Sequence, residues 1–269
     1  MRKYIFTIVI FCFTAGASAA ALAAEFSYSH YETLLTRYVK PGVTINGISV
    51  NAMDYAALAS GAKKPDSAYS LLLKELAAFD PATLGSREEK MAFWINVYNI
   101  AAIKTIVDHY PVDSIRSRKI NWLGLPWDRK AITVGGRQYA LAEIEFDALV
   151  EGFRDLRVHF GINCASVSCV DLRTEPYRAA GLDKDLDEQG KRFLANPKKG
   201  LRIDNRKNKV YLSQVFKFDK KHFEAYAGGA IRFILPYLAD EEREYLRSGK
   251  YDVEFLDYDW NANNVKNAK

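Results

Sequence analysis

The stretch FWINVYNIAAI, from Phe93 to Ile103, decides how the rest of the chain is expected to fold. Apolar residues occur on every side of a helix drawn through it, which is typical of a helix buried at the centre of a domain. Ser86 and Glu89 ahead of it have the spacing of a capping box, in which each satisfies a backbone N–H group of the other. We therefore predict a long central helix from Ser86 to about His109.

Shorter elements are predicted on both sides of this helix. The dipeptides Asn46-Gly47 and Gly135-Gly136 are typical of two-residue β-hairpin turns, and each lies between residues suited to strands. Apolar spacing predicts a helix over 66–79, a helix over 142–150, a strand over 156–162, a helix over 183–194, a hairpin of 201–204 with 209–212, helices over 213–226, 229–238 and 240–246, and a strand over 252–256. Few of these strands have the continuous apolar run of a buried parallel strand. The pattern predicts an α+β fold: a single, mainly helical domain with a buried central helix, short strands and β-hairpins.

The composition is that of an ordinary globular protein. The chain has 269 residues, 49% of them hydrophobic and 26% charged, which excludes a disordered chain, a fibrous repeat and a cysteine-dense mini-protein. The net charge of +5 is scattered, and no run of five basic residues occurs. We therefore expect no nucleic-acid partner.

Residues 1–24 have the pattern of a secretory signal peptide. Arg2 and Lys3 precede a short apolar run, and small residues follow it up to Ala24. We expect cleavage near Ala24, a single globular domain over 25–269 and a periplasmic or secreted protein. No later apolar stretch is long enough for a transmembrane segment, so the alternative is that the uncleaved N-terminus anchors the protein. The pattern says nothing about the oligomeric state.

Two asparagines on the central helix are candidate site residues. Asn96 and Asn99 are three positions apart and therefore share one face of the helix. A buried amide without hydrogen bonds costs roughly 1–3 kcal/mol, so both side chains must bond to something. They hold the backbone of a loop, each other, or a substrate or oxyanion at a reaction centre. The spacing does not decide between these functions.

Cys164 is the candidate nucleophile. It follows the predicted strand over 156–162 and precedes small residues that could start a helix, whose N-terminus would lower the thiol pKa. His159 is the candidate base, but an extended chain separates it from Cys164 by about 16 Å, so the two meet only if the chain turns sharply. His30, His109 and His222 are the alternative bases.

The second cysteine of the expected mature chain, Cys169, offers a different interpretation. In an oxidising compartment, Cys164 and Cys169 are expected to form a disulfide if they lie in a loop. In one regular helix their Cα atoms would be about 8.6 Å apart, beyond bridging distance, and both thiols would be free. A zinc site of these two cysteines with His159 lacks a fourth ligand. We therefore predict no metal and no cofactor, and leave the disulfide open.

Aromatic residues outside the central helix form two further features. The loop from Trp122 to Trp127 is expected to pack over the core as a lid, and the alternative is that it lines a ligand groove. The segment Tyr258–Trp260 is interpreted as a tail whose aromatic rings dock on the domain.

These motifs, in this order, resemble the family called domain of unknown function 547. The resemblance is carried over about residues 52–263 by AFWINVYN (92–99), YP (110–111) with SI (114–115), GGR (135–137) with Leu141 and IE (144–145), HF (159–160), NCASVSC (163–169), Ser213 with VFK (215–217), and YDW (258–260). The family usually has a histidine where this chain has Phe146. If the family uses that histidine with a cysteine, the resemblance implies an impaired site here, or one that depends on His159. Glu145 matches the family and either orients such a base or caps its helix.

Two functions follow from these observations. The first is a thiol-dependent hydrolase or acyl transferase, in which Cys164 is the nucleophile, His159 the base, and Asn96, Asn99 and Glu145 support them. Its partner would be an envelope peptide, an amide or another small molecule. The second is a non-catalytic envelope binding or scaffold protein with a Cys164–Cys169 disulfide. The oxidation state of the two cysteines separates them.

Overall fold

The central helix, α4 (Arg87–Asp108), is buried on all sides over most of its length. The computed structural model describes residues 26–268. The Ser86 hydroxyl accepts a hydrogen bond from the Glu89 backbone N–H at 3.0 Å, and the Glu89 carboxylate accepts one from the Ser86 backbone N–H at 2.9 Å. The predicted central helix and its capping box are therefore confirmed.

The remaining helices of the described residues belong to the same domain as α4. They are α1 (Ser29–Tyr38), α2 (Tyr55–Gly61), α3 (Ala68–Ala78), a π-helix (Glu143–Glu151), α5 (Val158–Gly161), α6 (Leu182–Leu194), α7 (Val215–Phe218), α8 (Lys220–Ala227), α9 (Ala230–Ile234) and α10 (Asp240–Arg247), with short 3₁₀ turns at Pro81–Thr83, Pro126–Asp128, Leu235–Tyr237 and Val265–Asn267. About 48% of the described residues are helical and 15% are in strands, which confirms the predicted α+β class.

The strands form three small sheets. They are β1 (Val39–Ile45) with β2 (Ile48–Met53), β3 (Lys130–Val134) with β4 (Arg137–Ala140), and β5 (Leu201–Asp204) with β6 (Lys209–Leu212) and β7 (Asp252–Phe255). All three consecutive pairs are antiparallel hairpins, as predicted, whereas β7 joins β6 in parallel. Most buried hydrophobic residues belong to one core that runs from Phe26 to Ala262, so the described chain is one domain.

The predicted strand over 156–162 is wrong. Its residues form a tight turn and the four-residue helix α5, which begins where the Asp155 carboxylate accepts a hydrogen bond from the Arg157 backbone N–H at 3.1 Å. The alternation of apolar residues is not an amphipathic signal here, because His159 on the other side is also buried. Alternation of apolar and polar residues indicates a strand only when one face of the segment is exposed to solvent, and this segment lacks such a face.

The turn at α5 depends on a close approach to the central helix. A Cβ atom on Gly161 would lie 3.0 Å from Ile95 of α4 and 3.0 Å from Leu186 of α6. Glycine therefore allows the chain to pass between these two helices and to reverse direction before Cys164.

Another predicted helix is interrupted at a residue of the site. The helix expected over 213–226 divides into α7 and α8 at Asp219, whose backbone is not helical (φ −115°, ψ 34°). The break turns the Asp219 side chain into the protein, where it is only 4% exposed.

The predicted signal peptide lies outside the described residues. Among residues 26–268, none of the helices has both the length and the apolar character that a membrane crossing requires.

Candidate functional site

A cavity of about 270 Å³ lies beside the C-terminal side of α5. Four of the sequence-predicted residues line it, namely Cys164, His159, Glu145 and Cys169. The other lining residues are Tyr98, Arg116, Leu125, Trp127, Phe146, Ile162, Val215, Phe218, Asp219, Tyr258 and Trp260. The structure thus gathers a thiol, an imidazole and two carboxyl groups in a space walled mainly by aromatic and aliphatic side chains.

The loop that carries Cys164 is fastened from inside by its own asparagine. The Asn163 amide accepts a hydrogen bond from the Ala165 backbone N–H at 2.8 Å and donates one to the Val170 carbonyl. Ala165 has a φ of 59°, a conformation that costs a non-glycine residue energy and that the surrounding bonds must maintain. No helix follows Cys164, so the predicted helix N-terminus at the thiol is wrong.

The C-terminal tail fastens the same loop from outside. The Val167 N–H donates to the Asn261 carbonyl at 2.9 Å, and the Asn263 N–H donates to the Ala165 carbonyl at 3.2 Å. Tyr258 then reaches the cavity, as the predicted docking of the tail requires.

The Cys164 thiol has several hydrogen-bond partners. The Ser166 hydroxyl lies 3.1 Å and the Tyr258 hydroxyl 3.3 Å from its Sγ. A hydrogen bond from the Cys169 thiol, with these two hydroxyls, outweighs burial and the nearby Glu145 carboxyl and lowers the pKa of Cys164. The predicted direction of the pKa shift therefore agrees with the structure, but its cause is side-chain donors instead of a helix dipole.

Cys169 has the opposite electrostatic character. Donation to Cys164 and burial raise the pKa of Cys169 well above its usual range, although the Cys164 backbone N–H donates to its Sγ at 3.2 Å. Both cysteines are free thiols in the structure, and both are buried. Cys164 is thus the one suited to be a thiolate, and Cys169 acts as its donor.

His159 lies between two carboxyl groups. Its Nε2 is 2.7 Å from Asp219 Oδ2, and its Nδ1 is 3.9 Å from Glu145 Oε1. A hydrogen bond donated by Nε2–H to the Asp219 carboxylate selects the tautomer of the neutral ring in which Nδ1 carries the lone pair. The turn at α5 brings His159 and Cys164 to one cavity, although no hydrogen bond among the described residues joins them.

Asp219 also connects this histidine to a second one near the surface. Its Oδ1 is hydrogen-bonded to His222 Nδ1, and His222 Nε2 is 3.1 Å from the Glu151 carboxylate. Glu151 has 45% of its side chain exposed and accepts a hydrogen bond from the Tyr226 hydroxyl at 2.6 Å. A continuous chain of acidic and imidazole groups therefore runs from the cavity floor to solvent.

Glu145 occupies the buried side of the cavity. Burial raises its pKa, in spite of the neighbouring His159 and of a hydrogen bond donated by the Tyr98 hydroxyl at 2.9 Å. Trp127 Nε1 in turn donates to the Tyr98 oxygen at 3.3 Å. Phe146, which stands where the resembling family usually has a histidine, is part of the cavity wall.

Asn96 and Asn99 do not line the cavity. Asn99 donates to the Gly161 carbonyl at 2.9 Å and accepts from the Asn163 N–H at 2.7 Å. Asn96 makes the equivalent pair of bonds, at 2.7 and 3.0 Å, with the backbone of Tyr177. Both amides thus hold loop backbone, and neither lies in the cavity wall where an oxyanion would form.

The other histidines lie elsewhere. His30 is 3.0 Å from Glu75, and His109 is 2.9 Å from the Thr105 carbonyl. Neither lines the cavity, and His222 reaches it only through Asp219. Within residues 26–268, no group of three or more His, Cys, Asp or Glu side chains is placed to hold a metal ion, so the zinc arrangement considered for His159 is not formed.

The aromatic loop packs on the core through Trp127 and lines the cavity mouth. Leu125 and Trp127 face the cavity, while Trp122 and Leu123 are exposed by 77% and 59%. The lid prediction is therefore wrong for the tip of the loop, and the groove alternative describes its second half.

Residues 82–194 match the family model described as "Protein of unknown function, DUF547". The chain contains a DUF547 domain. No curated protein and no solved structure matches the chain. The match is narrower than the predicted resemblance over 52–263, whose outer parts stay a prediction.

The DUF547 segment supplies only part of the cavity. Cys164, His159 and Glu145 belong to it, whereas Asp219 and Tyr258 come from the chain beyond residue 194. Sequence reasoning missed the contribution of both. The available signals were the motif VFK (215–217), which lies just before Asp219, and the motif YDW (258–260), which begins with Tyr258. Spacing along the chain cannot show that Asp219 contacts His159 or that Tyr258 contacts Cys164.

Proposed function

We propose that this DUF547 protein is a thiol-dependent hydrolase or acyl transferase of the cell envelope, with Cys164 as nucleophile and His159 as base. The observation that carries the proposal is that a thiol with a lowered pKa shares the floor of one apolar cavity with a histidine paired to a buried aspartate. Activated thiols and carboxylate-oriented imidazoles are the parts that nucleophilic acyl transfer requires.

The proposed reaction has two steps. His159 takes the proton of the Cys164 thiol, Cys164 Sγ forms a bond to the acyl carbon, the bond from that carbon to the leaving nitrogen or oxygen breaks, and the leaving group takes that proton from His159. Water or a second nucleophile then attacks the thioester, gives its proton to His159 and releases Cys164. Asp219 keeps the imidazole in one tautomer throughout, as the carboxylate does in other triads.

The oxidation state of the cysteines is the first test. The exported protein, purified without reductant, is expected to react with iodoacetamide at Cys164 and to have the mass of the fully reduced chain. No reactive thiol, with a mass two hydrogens lower, would contradict the nucleophile in the resting protein. That result would favour the second candidate, a non-catalytic binding or scaffold protein with a Cys164–Cys169 disulfide, which the close contact of the two cysteines supports.

The second test asks for the covalent intermediate. With p-nitrophenyl octanoate as the acyl donor, we expect a burst of p-nitrophenolate and an octanoyl adduct on Cys164 by intact mass. Cys164→Ser should abolish the adduct, while Cys169→Ser should retain it at a reduced rate. Asp219→Asn should slow acylation by about 100-fold or more. Asp183→Asn, a change to an exposed surface ion pair, is the control.

A further inference from the structure

The cavity has a polarity gradient from floor to mouth that the proposed chemistry does not explain. At the floor, Cys164 and His159 are only 7% and 3% exposed. At the mouth, Leu125 and Phe218 are each 50% exposed although both are large apolar side chains. Exposed apolar groups at the rim of a cavity indicate a surface that is covered when a ligand is bound.

A continuous aromatic wall joins the mouth to the thiol. Phe218 stacks on Trp260 with ring centroids 5.6 Å apart, and Trp260 lies 4.4 Å from the Tyr258 ring. The Tyr258 hydroxyl is the group that contacts Cys164 Sγ. A linear apolar chain along this wall therefore has one end at the mouth and the other at the nucleophile.

Arg116 adds a charge at the mouth. Its guanidinium lies over the Trp260 ring, 4.9 Å from the ring centroid, and it lines the cavity. Among the ion pairs of the described residues, none includes Arg116, so its charge is available to a ligand. The carboxyl groups of Glu145 and Asp219 lie at the buried end and would repel an anion there.

We infer that the cavity takes a linear apolar acyl compound that also carries an anionic group, held with its anion at Arg116 and its acyl carbonyl at Cys164. The apolar part covers the aromatic wall and the exposed side chains of Leu125 and Phe218. The placement of the reacting carbonyl rests on the proposed function, whereas the charge and chain-length preferences of the cavity do not.

The experiment measures binding without turnover. Calorimetry on the Cys164→Ser protein would compare hexanoate, octanoate and decanoate with their methyl esters and with alkyltrimethylammonium ions of equal length. The affinity of the carboxylates should rise about four-fold for each added methylene until the cavity is filled. At equal length, the carboxylate should bind most tightly and the cation least.

Arg116→Gln tests the source of the charge preference. It should weaken carboxylate binding by about two- to five-fold, because the side chain is exposed, and should leave binding of the methyl ester unchanged. Arg118→Gln, a neighbouring exposed arginine outside the cavity, is the matched control and should change neither. On wild-type protein, decanoate should protect Cys164 from iodoacetamide.

The outcomes distinguish this inference from the proposed function. Equal affinity for anions, esters and cations, or an affinity independent of chain length, would overturn the ligand class. If the Cys164→Ser protein shows the expected preferences but the wild-type protein never forms an acyl adduct, the ligand class stands and the nucleophile fails. If an acyl adduct forms on Cys164 but anionic chains bind no better than the others, the nucleophile stands and the ligand class fails.

Discussion

Two loops are held against the central helix by the same chemical device, and only one of them becomes a site. Asn99 binds the backbone at Gly161 and Asn163, one turn along α4 from Asn96, which binds the backbone of Tyr177 with the same two kinds of hydrogen bond. The first loop leads directly to Cys164 on the cavity floor. The second leads to Tyr177, which lines no part of the cavity.

The comparison shows what a buried amide contributes and what it does not. Each asparagine satisfies a carbonyl and an N–H group that would otherwise be unpaired in the interior. The chemical difference between the loops comes from their neighbours: Tyr258 and Ser166 face the first, together with the imidazole that Asp219 holds. The asparagine fixes the position of the loop, and the groups that meet the loop determine the polarity and hydrogen bonding around it.

Replacing each of the two asparagines in turn should have the largest effect on the free energy of unfolding. Asn99→Ala and Asn96→Ala each remove two hydrogen bonds and leave two buried backbone groups unpaired, so each should lower the free energy of unfolding by roughly 2–5 kcal/mol. Urea denaturation measures this loss. Only Asn99→Ala should also slow the alkylation of Cys164 by iodoacetamide under native conditions, and equal slowing in both variants would break the distinction between the loops.

Removing a donor from the thiolate should have a smaller effect. Tyr258→Phe deletes a hydroxyl that lies 3.3 Å from Cys164 Sγ and helps to lower its pKa. The pKa should therefore rise, and alkylation at pH values below the pKa should slow about tenfold for each unit of the rise, while the rate at high pH stays the same. The pH profile of alkylation measures this. Tyr177→Phe, in the loop held by Asn96, is the control that should leave the profile unchanged.

The smallest expected effect is on the pH dependence of stability. Because burial raises the pKa of Glu145, its contribution to stability is complete at pH values below the unfolded-state pKa. That contribution is lost as pH rises toward the higher folded-state pKa. Glu145→Gln removes this titration, so the variant should gain stability relative to wild type between pH 4 and pH 7. Melting temperatures across that range measure the difference, and a constant difference would contradict a raised pKa.

Local sequence patterns predicted the elements that are stabilised by residues close together in the chain. The capping box at Ser86, the two-residue turns at Asn46-Gly47 and Gly135-Gly136, and the hairpin of 201–204 with 209–212 all form as expected. In each case the deciding interactions lie within a few residues along the chain. The amide pair on α4 was likewise recognisable, since its spacing places both side chains on one face.

Patterns that depend on the environment were misleading. The alternation over 156–162 resembled a half-buried strand, but residues 158–162 are all buried, and Gly161 lies between α4 and α6. The helix expected over 213–226 breaks at Asp219, where the carboxylate turns inward to His159 and His222. Propensity and period cannot anticipate the contact with His159, because that residue is sixty positions away from Asp219 in the chain.

By itself, the sequence determined that the chain folds around a buried helix, that two cysteines and a histidine lie close together along it, and that it resembles one family of unknown function. These properties follow from composition and local spacing. Only the tertiary structure decided that Cys164 and His159 share a cavity, that Asp219 is hydrogen-bonded to His159 and that the Tyr258 hydroxyl contacts Cys164. The reason is physical: a pKa, a tautomer and a cavity wall depend on distances in space, and these distances exist only after remote segments have packed.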